Sequence, residues 1–246
     1  MLDLAWTVQA RLVAEPILRL HGIQKNYGGL RPLRIQELEI CAGERVSLLG
    51  LDPPAAEVFV NLATGAVLPD QGEVFTFGHN SKSITDSAQW LAILDQLGLV
   101  SDRIVLLEAL SVAQNLAVPL TLDIDPIGEH IMREVHGLAR ELKLEEEALA
   151  RPAGLVSPLA RARIRLGRAL ALNPRALILE HPTATLDSTA VGDYVQDIVR
   201  LADARGLSII ALTANKTFAG ALGGRVLVQH PATGALERQS RWPWWR

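Results

Sequence analysis

The apolar positions of this chain fall into two rhythms. Short alternating or unbroken runs at 17–20, 33–40, 45–49, 73–77, 97–100, 176–179, 208–212 and 225–228 predict β-strands. The runs at 45–49, 176–179 and 208–212 read as buried strands, and 176–179 as one covered on both faces. Helical spacing marks 59–65, 86–96, 125–142, 159–172 and 190–205. Asp125-Pro126 is taken as the start of the 125–142 helix, with Ile127, Ile131, Val135, Leu138 and Leu142 along one face. Ser157 followed by Pro158 has the form of an N-cap with proline at the first helical position. Asn173-Pro174 stops the 159–172 helix, because proline disfavours the helical region for the residue before it. Asp187 or Ser188 caps the next helix. Residues 22–29 read as a turn-rich loop, with further turns at 42–44, 69–72 and 232–234. The alternation of strands and helices suits an open α/β sheet, which binds ligands beyond the carboxyl ends of its strands.

Composition narrows this picture little. A chain of 246 residues, 49% apolar and 21% charged, suits one sizeable domain over 1–246. Its net charge of −3 argues against nucleic acid as a partner. The single cysteine, Cys41, allows no internal disulfide and fits a reducing compartment or no constraint. No apolar stretch approaches the ~20 residues that span a bilayer, and the first residues lack the basic start and apolar core of a signal peptide. A membrane is therefore expected to matter only through a partner. There is no internal repeat and no low-complexity tract.

One run carries more than periodicity. Ala169-Leu170-Ala171-Leu172-Asn173-Pro174 is followed by the 176–179 strand, then Glu180-His181-Pro182-Thr183, then Leu186-Asp187. This order resembles the ATP-binding cassette (ABC) ATPases, the nucleotide-binding subunits of transporters, over nearly all of 17–237. The resemblance implies an α/β, P-loop NTPase-like fold: a mainly parallel sheet flanked by helices, an antiparallel β layer from the first quarter, and an inserted helical subdomain at about 100–165. It also implies a permease or an intact ABC ATPase subunit as partner, and a cytoplasmic place at the inner face of the membrane.

The chemical positions depart from that pattern. Aligned from Gly50, the family's phosphate loop falls on Ala55 for its glycine, Ala56 for its lysine, and Glu57 and Val58 for its Ser/Thr pair. Pro53 and Pro54 bring no N–H to an anion nest. Glu57 replaces a magnesium-binding hydroxyl. A carboxylate ~4 Å from a phosphate, at an effective dielectric of ~20, repels it by about 4 kcal/mol. Glu180 stands where the family has its magnesium-binding Asp, and His181 where it has its catalytic Glu. Ala214 takes the place of the switch histidine. The signature serine survives as Ser157, but Pro158 and Leu159 replace its glycines. Asp102, with Arg103 beside it, aligns with the glutamine that contacts magnesium; it reads as a solvated loop acid rather than a metal ligand. Asp187 closes the D-loop. Tyr27 matches the aromatic that faces adenine, and two readings stay open for it: base stacking or anchoring a turn. Arg161, Arg165 and Arg168 share a helix face that reads as a solvated basic stripe. An imidazole at position 181 has the chemistry of a general base, yet nothing is placed to hold a phosphate in front of it.

These residues lead to a catalytically silent ABC ATP-binding-protein homologue, structural or regulatory, with no catalytic residue and no metal ligand. No cofactor is expected, with ATP and Mg²⁺ bound at most weakly. Two alternatives stay open: a weakly ATP-hydrolysing transporter subunit, and a soluble interaction module that reuses the fold. The tail at 238–246 gathers Trp242, Trp244 and Trp245 among arginines, which suits a membrane interface or a partner surface, or else packing on its own core.

Overall fold

The computed structural model describes residues 16–239. The lead-in 1–15 and the tryptophans of the tail lie outside the described residues.

Two sheets organise the chain. β1 (Pro16–Lys25), β2 (Leu33–Cys41), β4 (Gln71–Thr76) and β5 (His79–Asn80) form an antiparallel sheet in the order β2-β1-β4-β5. β3 (Arg45–Leu49), β6 (Leu97–Ser101), β7 (Ala176–Glu180), β8 (Ser208–Leu212), β9 (Arg225–Gln229) and β10 (Leu236–Arg238) form the other, ordered β10-β9-β3-β8-β7-β6. Within it only β10 runs antiparallel to its neighbour. The strands at 45–49, 176–179 and 208–212 thus lie side by side in one mainly parallel sheet, as the resemblance implies.

The sheet's two faces bury against different partners. In β7, Ala176 and Ile178 join a core with helix α1 (Pro53–Ala63) and the antiparallel sheet. Leu177 and Leu179 point the other way, into a core built from α3 (Val112–Ala117), α4 (Glu129–Glu141), α5 (Pro158–Leu170), α6 (Ser188–Arg205) and α7 (Lys216–Leu222). Every residue of β7 is buried, which is why its sequence carries no polar alternation. α1 lies under the antiparallel sheet and places its N-terminus at the carboxyl end of β3. Gly50 makes that turn possible: it has φ +95°, and a Cβ there would stand 3.0 Å from the Gln229 carbonyl oxygen. The remaining helix, α2 (Ser87–Leu94), precedes β6.

Three expectations need correction. β1 runs on to Lys25, into the stretch expected as loop, because Ile23, Gln24 and Lys25 continue the β2 ladder in unbroken register, while the pairing with β4 shifts between His21 and Gln24. α4 begins at Glu129 rather than Asp125; Gly128 takes the N-cap position, and Ile124 bridges to Ile127 in a turn of its own. Arg165 and Arg168 of α5 are engaged within the fold rather than part of a solvated stripe. Arg165 pairs with Asp102 at 3.2 Å, and Arg168 Nη1 donates to the Val105 carbonyl at 3.0 Å. Burial, helped by the charge of Arg165, holds the Arg168 guanidinium below its usual pKa.

The helical side is fixed by one buried carboxylate. Asp197 of α6, with its side chain 0% exposed, pairs with Arg163 at 2.7 Å and Lys143 at 2.8 Å, with Arg200 at 3.5 Å. Burial pushes the Asp197 carboxyl up, but the hydrogen bonds from Lys143 and Arg163 outweigh it and hold the pKa below the usual carboxylate range. A folded-state pKa below the unfolded value of about 4 means the stabilisation is complete above that pH and is lost as pH falls through the folded value. Asp197→Asn is expected to cost about 3 kcal/mol at neutral pH, with the gap to the parent closing below about pH 4 in denaturant melts. A gap that stays constant into strong acid would contradict this role.

Candidate functional site

The carboxyl ends of β3, β6, β7 and β8 open onto a cleft of about 560 Å³. Parallel pairing sets its floor: Glu180 ends β7 opposite Ser101 of β6 and Leu212 of β8. Glu57 enters from α1, Asp102 and Arg103 from the loop after β6, His181 from the turn after β7, and Ala214 from the turn after β8.

An ion cluster occupies the middle. Arg103 Nη2 donates to Glu180 Oε2 at 2.8 Å, and its Nε lies 3.1 and 3.2 Å from the two oxygens of the same carboxylate. Arg103 Nη1 reaches Glu57 Oε1 at 3.2 Å. Glu180 is the desolvated member, its side chain 6% exposed against 42% for Arg103 and 47% for Glu57. A buried carboxylate without a partner is costly, and the Arg103 guanidinium supplies that partner. Two carboxylates share one guanidinium, which leaves the cluster with a formal excess of one negative charge. Asp102 does not add to it, being neutralised by Arg165.

The loop carrying Arg103 is anchored on both sides. Arg103 N donates to Ser101 Oγ at 3.1 Å, Ile104 N donates to the Ser101 carbonyl, and Arg168 holds the Val105 carbonyl. His181 adopts φ +44°, an uncommon conformation for a residue with a side chain, and its N–H donates to the Leu212 carbonyl at 2.8 Å. Its Nε2 is buried without a hydrogen-bond partner among the described residues.

The helix N-termini around the sheet are filled from within. Pro53 and Pro54 bring no N–H to the first turn of α1, the Ala55 N–H donates to Asp52 Oδ1 at 2.9 Å, and the Ala56 N–H to the Asp52 carbonyl at 2.8 Å. The carboxylate of Asp52 thus sits where a helix start would hold an external anion. Ser157 caps α5, Asp187 caps α6 and Asn215 caps α7 in the same way, each accepting an N–H of its own first turn.

A second cleft, of about 620 Å³, lies on the other side of Asp52 and includes Tyr27, Gly50 and Ala55. Burial, then the charge of Asp52, pushes the Tyr27 phenol above its ordinary pKa. The residues singled out in the sequence therefore separate. Glu57, Asp102, Glu180, His181 and Ala214 meet in the first cleft, while Tyr27, Gly50 and Ala55 line the second. Ala56 is buried in the core and Val58 packs against it. Ser157 and Asp187 serve as helix caps outside both clefts. Two residues carry more than their sequence context suggests. Asp52 before a Pro-Pro pair has the signature of an N-cap. An acid closing the apolar 176–179 run needs a cation, and Arg103 supplies it.

No family model matches the chain. A probable ABC transporter ATP-binding protein from Azorhizobium caulinodans is 29% identical over 224 residues, covering 91% of this chain and 78% of that protein. The sulfate/thiosulfate import ATP-binding protein CysA of Caulobacter vibrioides is 28% identical over 214 residues, 86% of this chain but 61% of that protein. Among solved structures, cbiO1 from Clostridium perfringens, part of the ABC transporter complex cbiONQ, superposes with a TM-score of 0.73 at 21% identity, over 87% of this chain and 84% of that one. The chain is thus similar in sequence to ABC transporter ATP-binding proteins. Its fold is the ABC ATPase cassette, a P-loop NTPase-like α/β architecture. No helix among the described residues is long and apolar enough to cross a membrane.

Asp52→Ala tests the internal capping. It is expected to cost about 1 kcal/mol of stability and to move the Tyr27 titration to lower pH in an ultraviolet tyrosinate titration, since one of the two causes of its raised pKa is gone. An unmoved titration would show that Asp52 does not act on this ring.

Proposed function

We propose that this ABC ATP-binding-protein homologue is catalytically silent and serves as a structural or regulatory subunit, docking on a membrane permease, on an intact ABC ATPase subunit, or on both. The observation that carries the reading is the guanidinium of Arg103 lying between Glu57 and Glu180. The residues do not fit a magnesium-bound triphosphate. Ala56 offers no cation to phosphate, the first turn of α1 has given its N–H groups to Asp52 or lost them to proline, and Glu57 turns a negative charge toward the cleft. The likeness to ATP-binding relatives lies in the scaffold, whereas the groups that would hold ATP are internally satisfied.

Docking is supported by exposed apolar side chains on the helical side. Val105, Leu107 and Leu155 are exposed, and their segments are joined by hydrogen bonds from Gly154 N to the Glu108 carbonyl and from Ala153 N to the Leu110 carbonyl. Apolar residues gathered in this way favour an interaction surface. In this reading the protein sits at the cytoplasmic face of the membrane and reaches it through its partner.

The purified protein is expected to release phosphate from ATP no faster than a blank, with or without Mg²⁺, and to keep its sizing-column profile when ATP is added. Turnover that depends on Mg²⁺ and disappears in His181→Ala would overturn the silent reading. Leu155→Asp is expected to weaken co-purification with a permease or ATPase partner by about 10-fold or more, while leaving the melting temperature unchanged. Undiminished co-purification would remove this surface from the docking site.

A further inference from the structure

We propose that the Arg103 guanidinium is a tethered cation that fills the space between Glu57 and Glu180 and thereby closes a latent divalent-cation site. The inference rests on the silent reading of the cleft and deepens it by saying what the guanidinium stands in for. Four guanidinium-to-carboxylate contacts of 2.8–3.2 Å converge on the two glutamates from one side chain. A small divalent cation takes one or two carboxylates and completes its shell with water, so the donor set that Arg103 satisfies is one such an ion accepts. The other acid of this rim, Asp102, is already held by Arg165 and takes no part.

The tether makes the replacement effective. Ser101, Arg165 and Arg168 fix the loop from 101 to 105, so the Arg103 charge is presented at an effective concentration that free ions in solution do not match. The exposure of Arg103 leaves its side chain a path outward. Once it is removed, the buried Glu180 carboxylate has no cation and a divalent ion becomes its best available partner.

Wild type, Arg103→Ala and the double variant Arg103→Ala/Glu180→Gln are melted with and without Mn²⁺, and Mn²⁺ binding is read from loss of the free-ion EPR signal. Wild type is expected to bind no Mn²⁺ and to keep its melting temperature. Arg103→Ala is expected to melt about 5 °C lower, to bind Mn²⁺ and to regain most of the loss. The double variant is expected to bind none. Should Arg103→Ala not fold, Arg103→Gln, which keeps a donor beside Glu180 but no charge, takes its place with the same expectation for Mn²⁺. Mn²⁺ binding by wild type overturns the proposal, as does its absence from both single variants or its persistence in the double variant. ATP turnover by wild type bears on the silent reading instead, so the two can fail separately.

Discussion

A carboxylate buried at the end of an interior strand is costly without a cation, and in this molecule that constraint ties three elements together. Glu180 closes β7, the strand whose two faces hold both cores. Its partner Arg103 lies on the loop that leaves β6 for the helical region, and the same guanidinium reaches Glu57 on α1. The chain's path from parallel sheet to helices therefore passes through one ion cluster. Arg165 and Arg168 of α5 extend the clamp by gripping the residues on either side of Arg103. In the low dielectric of such a site, breaking one partner of a buried pair costs more than the pair contributes.

The start of α1 obeys a related constraint. A helix N-terminus has N–H groups to satisfy, and left open it is a ready site for an anion. Here the chain answers with its own atoms: two prolines without N–H and a carboxylate that accepts the next donor. An internal anion at the helix start and an internal cation between the glutamates occupy the two kinds of position that a metal-bound polyphosphate would need. The proposed loss of nucleotide chemistry thus has a positive structural counterpart, in which the cleft is stabilised by pairs formed within the chain. The charge left over, on Glu57, disfavours polyphosphate further.

The fold was largely legible because its strands differ in pattern. The apolar runs at 45–49, 176–179 and 208–212 mark strands covered on both faces, and the alternation at 33–40 marks the antiparallel sheet. Caps at Ser157 and Asp187 were legible for the same local reason. Errors arose where tertiary pairing overrode local signals: β1 continues past Gly22 because β2 offers a ladder, and α4 waits until Glu129 although Asp125-Pro126 has the form of a helix start. Positions 57, 180 and 181 could be singled out from sequence, but not the contacts that Glu57 and Glu180 make. The link from Arg103 to Glu180 spans 77 residues and that to Glu57 spans 46, and no local pattern reports such a separation. Arg165 and Arg168 were misjudged likewise, since helical spacing gives a face but not what lies opposite it.

The proposed silence of the site means that the cleft, satisfied by the chain's own charges, has no free energy to gain from nucleotide. Its most direct test is the melting temperature of the wild-type protein at saturating concentrations of ATP with Mg²⁺. A ligand at about 100 times its dissociation constant would add about 2.7 kcal/mol to the folded state, a rise of roughly 5–10 °C for a chain of this size. No rise is expected if the site is silent. A reproducible, Mg²⁺-dependent increase of several degrees that saturates with ATP would contradict it.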